Sequence, residues 1–197
     1  MELYNDLKTY YAKDSKSWRN WLSKNGTREK FVWLIIYRKN AGIKSIYYDE
    51  AVEQALCFGW IDSKANKRDE HSFYLSFARR NPKSNWSKLN KNRVDKLIDL
   101  KQMNEKGLEV IGMAKANGAW TALDKIENLE LPADLIIALQ KLLLAANNFN
   151  AFPRSVKKGI LEWIQNAKRE ETRNKRIEQT VSLAEKNIRA NQYISKQ

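Results

Sequence analysis

Glu50-Ala51-Val52-Glu53-Gln54-Ala55-Leu56-Cys57-Phe58-Gly59-Trp60-Ile61-Asp62-Ser63 changes its hydrophobic period partway along. Up to Phe58, the apolar residues Val52, Ala55 and Leu56 recur at three- and four-residue steps, so Tyr48 to Phe58 reads as a helix. Asp49 is a plausible cap, and Glu50 and Glu53 favour the positive end of the helix dipole. Gly59 then breaks the helix, and its place at a helix-to-strand junction predicts positive φ or close backbone packing. Beyond it, Trp60 to Lys64 pairs with Phe73 to Arg79 in a hairpin turned through Asn66-Lys67-Arg68-Asp69. Two-residue alternation assigns Ile61, Phe73, Leu75 and Phe77 to an apolar face. Trp60, Asp62, Tyr74, Ser76 and Arg80 are left for the other.

Working outward, Phe31-Val32-Trp33-Leu34-Ile35-Ile36-Tyr37 is apolar at both parities and rich in β-branched and aromatic residues, as a strand covered on both faces requires. Ser17 to Gly26 reads as a short amphipathic helix, started by Ser15 or Ser17 and ended by Gly26. After Pro82 every segment has helical character: Asn85 to Leu100, Glu105 to Asn117, Pro132 to Ala146, Arg154 to Ala167 and Glu170 to Ala190, with Asn147 to Pro153 as a joint. The expected fold is α+β: a small antiparallel β-sheet with flanking helices, followed by an all-helical C-terminal lobe. Residues 1–82 would form the sheet-bearing lobe and 83–197 the helical lobe packed on it, with residues 191–197 frayed.

The chain has 197 residues, enough to bury a substantial core. Its 36 basic and 23 acidic residues give a net charge of +13, which favours anionic partners. No charged-then-apolar leader opens the sequence and no run approaches ~18 apolar residues, so the expectation is a cytoplasmic protein without a membrane span. A single cysteine, Cys57, rules out an internal disulfide framework.

The opening stretch, together with Arg79-Arg80, Pro82-Lys83-Ser84-Asn85-Trp86-Ser87, Ala114-Lys115-Ala116-Asn117-Gly118-Ala119-Trp120 and Ala167-Lys168-Arg169-Glu170-Glu171-Thr172-Arg173-Asn174-Lys175-Arg176-Ile177, resembles the YdeI/OmpD-associated family, also called bacteriocin-protection proteins. The resemblance implies a fold and a candidate ligand surface, with no established reaction. Relatives often read Thr-Pro-Arg where this chain has Phe77-Ala78-Arg79-Arg80-Asn81-Pro82, so the exit of the strand is expected to bend differently. The family name implies protection against bacteriocins or cationic peptides. A +13 chain repels such peptides, so any protective or stress-resistance role is expected to be indirect.

Classes of catalysis are excluded by what the sequence lacks. His71 is the only histidine, so multi-histidine metal sites are impossible, and one Cys with one His cannot complete a structural zinc cage. No metal and no cofactor is expected. No phosphate loop or dinucleotide glycine pattern occurs. Cys57 and His71 could form a nucleophile and base only if the helix end and the hairpin bring them together; burial of Cys57 in core is the plainer expectation.

Binding residues are better represented. From His71 to Val94 there is no acid, while Arg79, Arg80, Lys83, Lys88, Lys91 and Arg93 alternate with Tyr74, Phe77 and Trp86. The stretch also opens a helix near Ser84 or Ser87, whose free N–H groups and dipole suit a carboxylate or phosphate. The candidate ligand-binding set is Trp60, Asp62, Tyr74, Arg79, Arg80, Lys83, Ser84 and Trp86, with no catalytic residue assigned. Asp62 reads first as an ionic clamp for Arg79 or Arg80, and second as a general base. The leading functional expectation is a binding module for a small anionic ligand or acidic protein. Non-sequence-specific nucleic-acid binding through residues 73–93 is the alternative, and an enzyme using Asp62 or Cys57 the third. The charged run 168–178 reads as a solvated helix face with i,i+4 pairs such as Glu171–Lys175.

Overall fold

A computed structural model describes residues 2–192 of the chain; residues 193–197, where most of the expected frayed end lies, are outside the described residues. The chain divides into two compact units, 1–121 and 122–197. The helices Lys88–Asp99 and Glu105–Ala116 therefore belong with the sheet, and the division falls well after the boundary at residue 82 expected from sequence. The physical reason is their apolar faces: Val94, Leu97, Ile111 and Ala114 are buried in the same core as the strands.

Unit 1 runs β1 (Leu3–Tyr4), β2 (Leu7–Tyr11), α1 (Ser15–Asn25), β3 (Phe31–Tyr37), α2 (Tyr48–Cys57), β4 (Trp60–Lys67), β5 (Ser72–Arg79), α3 (Lys88–Asp99) and α4 (Glu105–Ala116). The strand order is β1-β2-β3-β5-β4. The α+β class holds, but the sheet is mixed and not wholly antiparallel: β2 runs parallel to β3, with Thr9 opposite Trp33. A helical crossover, α1, joins these two strands, and such a connection produces parallel neighbours. The β1–β2 hairpin left no signal because Leu3, Leu7 and Tyr11 are exposed.

β3 is buried on both sides, as its composition requires. Val32, Leu34 and Ile36 join Leu75 and Phe77 of β5 under α1 and α2. Trp33, Ile35 and Tyr74 form a smaller cluster on the opposite face, against which Tyr4 stacks on Tyr74 at 4.1 Å between ring centroids. Asp14, one residue before Ser15 and three before Ser17, caps α1 in place of the predicted serines by accepting from the Ser17 amide at 2.7 Å. The α2 N-terminus is closed by Glu50, which accepts from the Tyr47 amide at 3.0 Å. Gly59 has φ of +73°, and a Cβ there would lie 2.9 Å from Val110 Cγ2 and 3.1 Å from the Lys106 carbonyl oxygen. Both signs of a glycine-only junction are thus present.

Unit 2 contains α5 (Asp124–Glu127), α6 (Ala133–Gln140), α7 (Leu143–Ala151), α8 (Arg154–Gln165) and α9 (Glu170–Glu185). The segment predicted as one helix from Pro132 is two, and the expected joint at Asn147 is the body of α7, whose Phe149 is fully buried. Ile160 and Ile164 of α8 meet Ile177, Val181 and Ala184 of α9 in the core, residues that recur at three- and four-residue steps, while Ile188 stays exposed. The charged run at the start of α9 has structural work. Arg173 pairs with Asp134 at 2.6 Å, and Arg176 donates to the Trp163 carbonyl while its guanidinium lies 5.0 Å from the Trp163 ring. Trp163 lies in the last turn of α8, so this arginine satisfies a carbonyl that helix geometry leaves open. Glu171 and Lys175 pair at 2.7 Å, as their spacing predicts.

Candidate functional site

The hairpin register decides which candidate residues meet. Trp60 lies opposite Arg79, Ile61 opposite Ala78 and Asp62 opposite Phe77. Trp60 and Asp62 therefore share the face of Phe77, whereas Tyr74 lies on the other side among Trp33 and Ile35. The expected grouping of Trp60 and Asp62 with Tyr74 is overturned. Burial of the Trp60 indole in the main core, where its Nε1 donates to the Gly26 carbonyl at 3.2 Å, sets the register and leaves Ile61, opposite Ala78, only partly buried at the edge of that core. An irregularity between Asp62 and Ala65, into which the Ser76 hydroxyl reaches to accept from the Lys64 amide at 2.7 Å, follows. Tyr74 donates to the Glu2 carboxylate, which the Arg68 guanidinium and this hydroxyl hold below the usual range.

Asp62 does not clamp an arginine. It accepts from the Tyr48 hydroxyl at 2.7 Å, and burial together with this carboxylate pushes the Tyr48 phenol up to about 12. Arg79 is exposed and donates to main-chain oxygens instead: its Nε to Glu29 at 2.8 Å and its Nη2 to Thr27, tying the end of β5 to the loop after α1. Lys83 is exposed, and Ser84 closes a turn by donating to the Asn81 carbonyl at 2.7 Å. The helix that follows begins at Lys88 and is capped by Ser87, so Ser84 presents no helix N-terminus.

Arg80 is different. It is only 6% exposed and packs on the buried Trp86, with its guanidinium carbon 3.9 Å from the ring centroid. One nitrogen, Nη2, donates to the Asn85 carbonyl; the Nε of Arg80 and the Nε1 of Trp86 are buried without an acceptor among the described residues. No carboxylate lies within ion-pair distance of it among the described residues, although Asp62 is near enough to exert a weak pull. Burial lowers its pKa to about 10, which leaves it charged at neutral pH. A buried guanidinium without a counter-ion is energetically costly, and such costs are retained where an anion offsets them.

A cleft of about 400 Å³ is lined by Trp60, Arg79 and Arg80, three of the sequence-predicted residues. Its remaining walls were not anticipated: Leu22, Ser23, Gly26 and Thr27 at and after the end of α1, Phe58 and Gly59 at the junction, and Asn104, Lys106, Glu109 and Val110 at the start of α4. Two local features seat α4 there. The Asn104 amide donates to the Cys57 carbonyl at 3.0 Å, and a Cβ on Gly107 would fall 2.3 Å from that same oxygen, so only glycine permits the approach. Lys106 is paired with Glu109 at 2.9 Å on the rim. The signal that could have disclosed this wall is Gly107, a lone glycine within a helical pattern.

Cys57 is buried at the end of α2, and burial raises its thiol pKa. His71 lies in the turn at the far end of the β4–β5 hairpin from Gly59. The two are not brought together, and among the described residues no group of acids, Cys and His has a metal-holding arrangement.

Comparison with protein families assigns both parts. Residues 10–110 match the family described as Domain of unknown function (DUF8412), which is more than half of the chain. The chain belongs to this family. The DUF8412 match falls within unit 1 and includes Trp60, Arg79, Arg80 and Trp86. Residues 128–187, within unit 2, match the family described as Bacteriocin-protection, YdeI or OmpD-Associated. The resemblance read from the sequence is upheld over that part; of its motifs, only Ala167 to Ile177 lies inside the matched residues. No curated protein and no solved structure gives a significant match to the chain. Among the described residues, no helix is long and apolar enough to cross a membrane.

Proposed function

We propose that unit 1 is a binding module for a small anionic ligand, with Arg80 as its principal cation and the cleft beside Gly59 as its seat. The observation that carries the reading is Arg80, a buried arginine with no carboxylate within ion-pair distance among the described residues, which is one of the residues that line the cleft. Trp86 fixes the plane of that guanidinium by stacking, and a fixed fork of donors favours a carboxylate or phosphate over a neutral ligand. Trp60 supplies an apolar wall, as small-molecule sites generally require beside a few convergent polar groups. An acidic side chain of a partner protein satisfies the same chemistry. The bacteriocin protection named in the family description would then act through such a ligand. Direct capture of cationic peptides is opposed by the +13 charge of the chain.

The test is a titration with inorganic phosphate and with citrate, followed by tryptophan fluorescence, since Trp60 lines the cleft. The wild type should show a saturable change, and Arg80→Met should weaken it by about tenfold or more, in keeping with loss of a charge-assisted contact. Arg80→Lys should restore it in part. Equal responses from wild type and Arg80→Met, with unchanged near-ultraviolet circular dichroism, would remove the reading.

A further inference from the structure

The cleft beside Arg80 does not end at α1. A second, open concavity of about 840 Å³ shares Ser23, Phe58 and Asn104 with it and continues past Asn20 and Arg19. A third, of about 470 Å³, shares Lys13, Asp14 and Lys16 with the second and reaches the loop after β3. The three form one trough along the outer face of α1, where Lys16, Asn20 and Ser23 recur at helical spacing. With 11 residues, α1 alone spans about 16 Å at 1.5 Å per residue.

Charge is concentrated at the far end of this trough. Lys13, Lys16, Arg38, Lys39 and Lys44 line it, and none of them forms an ion pair among the described residues. Two acids lie there, Asp14 and Glu50; each closes a helix N-terminus, and Asp14 also attracts Lys13 and Lys44 without coming within ion-pair distance of them, so five cations face two carboxylates. Some cations elsewhere in the unit are neutralised, as in Lys8–Glu29, Arg68–Glu2 and Arg93–Asp49, and those left over, such as Lys24, Lys64 and Lys115, do not line this concavity. Aromatic surface accompanies the charge: Tyr47 is 50% exposed, and the Lys39 ammonium lies 5.2 Å from its ring centroid. The wall is held in place before any ligand arrives. Ile46 donates its amide to the Ala12 carbonyl at 3.1 Å, Tyr37 donates its amide to the Ser45 hydroxyl at 3.0 Å, and the Tyr11 hydroxyl donates to the Lys44 carbonyl.

We infer that this trough binds single-stranded nucleic acid, its phosphates tracking Lys13, Lys16 and Lys44 and a base stacking on Tyr47. Unpaired cations along a channel, interrupted by an exposed ring, are what sequence-tolerant single-strand binding uses. An anionic bilayer would meet the same exposed lysines but offers no base to stack on Tyr47, so vesicle competition is one arm of the experiment. A duplex is disfavoured because its bases are stacked within the helix and cannot reach Tyr47. The inference builds on the small-anion reading only at the Arg80 end, where a terminal phosphate would enter the cleft.

The experiment is fluorescence anisotropy of a labelled oligodeoxythymidylate across a range of salt concentration. Lys13→Ala/Lys16→Ala/Lys44→Ala should weaken binding about tenfold or more at low salt and reduce the log–log salt slope by about 2, at ~0.7 per phosphate contact on a single strand. Tyr47→Ala should cost about fivefold, the effect of one lost stack. Lys83→Ala/Lys88→Ala, on the stretch that is densest in sequence, should bind as the wild type does. The inference is overturned if the triple variant binds as the wild type does, or if the Lys83/Lys88 variant is the one that loses binding. It is also overturned if Tyr47→Ala has no effect while phosphatidylglycerol vesicles displace the oligonucleotide. Repeating the phosphate titration on the triple variant separates the two readings: a retained response that is lost in Arg80→Met keeps the cleft independent of the trough.

Discussion

Two positive regions of unit 1 have opposite histories. The stretch from His71 to Val94 is the densest run of uncompensated positive charge in the sequence, yet folding disperses it. Arg79 is tied to main-chain oxygens, Arg80 is buried on Trp86, and Arg93 pairs with Asp49 at 2.5 Å. The cations at positions 13, 16, 38, 39 and 44 are scattered in sequence, and the fold gathers them around one concavity where none forms an ion pair among the described residues, although Asp14 draws weakly on Lys13 and Lys44. Linear density measures how many charges are near one another along the chain. Surface potential depends on how many remain unpaired on the same wall, and here the two measures select different residues.

If the dense stretch serves mainly as structure, its substitutions should be costly to folding. The largest effect is expected for Trp86→Ala, which empties a fully buried site beneath Arg80 and beside Trp120, whose ring is 4.9 Å away. Urea unfolding should show a loss of about 3–5 kcal/mol. Gly59→Ala comes next, at about 2 kcal/mol, because positive φ and the approach of Val110 both oppose a side chain. A variant that unfolds no more readily than the wild type would mean that the junction, and with it the cleft wall, is looser than the contacts imply.

A smaller effect distinguishes the Tyr48–Asp62 hydrogen bond from the arginine clamp expected from sequence. The Tyr48 phenol is raised from its ordinary 10.0 to about 12 in the folded state, so the fold favours its protonated form. That contribution is fully present below pH about 10, the unfolded value, and is lost as pH rises towards 12. Comparing the alkaline unfolding of wild type and Tyr48→Phe should reveal it: the wild type's advantage should shrink across that window. An advantage that grows with pH would have the sign wrong. Smallest of all, Lys13→Ala/Lys16→Ala/Lys44→Ala should change stability by no more than about 0.5 kcal/mol, since exposed unpaired lysines contribute little to folding.

Much of this fold was legible because local chemistry and tertiary demand agree. Phe31 to Tyr37 carries its two-sided burial in its composition, and Gly59 announces the junction by being the one residue that tolerates φ of +73°. The β1–β2 hairpin was silent because short edge strands with exposed side chains carry no hydrophobic period. The face of Asp62 was misread because alternation gives two faces but not which one is buried; the Trp60 indole chose. Three site residues were found by composition, Trp60, Arg79 and Arg80, whereas the α4 wall came from residues 104–110, far along the chain. The trough along α1 was invisible for the same reason: its lysines are neighbours only in space.

The central claim is that Arg80 is a buried cation awaiting an anion, and its own Nε–H reports on that most directly. In nitrogen–proton correlation spectra of the arginine side chains, the Arg80 signal can be assigned by its absence in Arg80→Lys. Its Nε has no acceptor among the described residues. Adding inorganic phosphate should move this resonance downfield in a saturable manner and slow its exchange with water, while the Arg79 signal, whose Nε already donates to Glu29, moves little. A spectrum in which Arg80 is unmoved at saturating phosphate, or in which all arginines shift alike, would contradict the account.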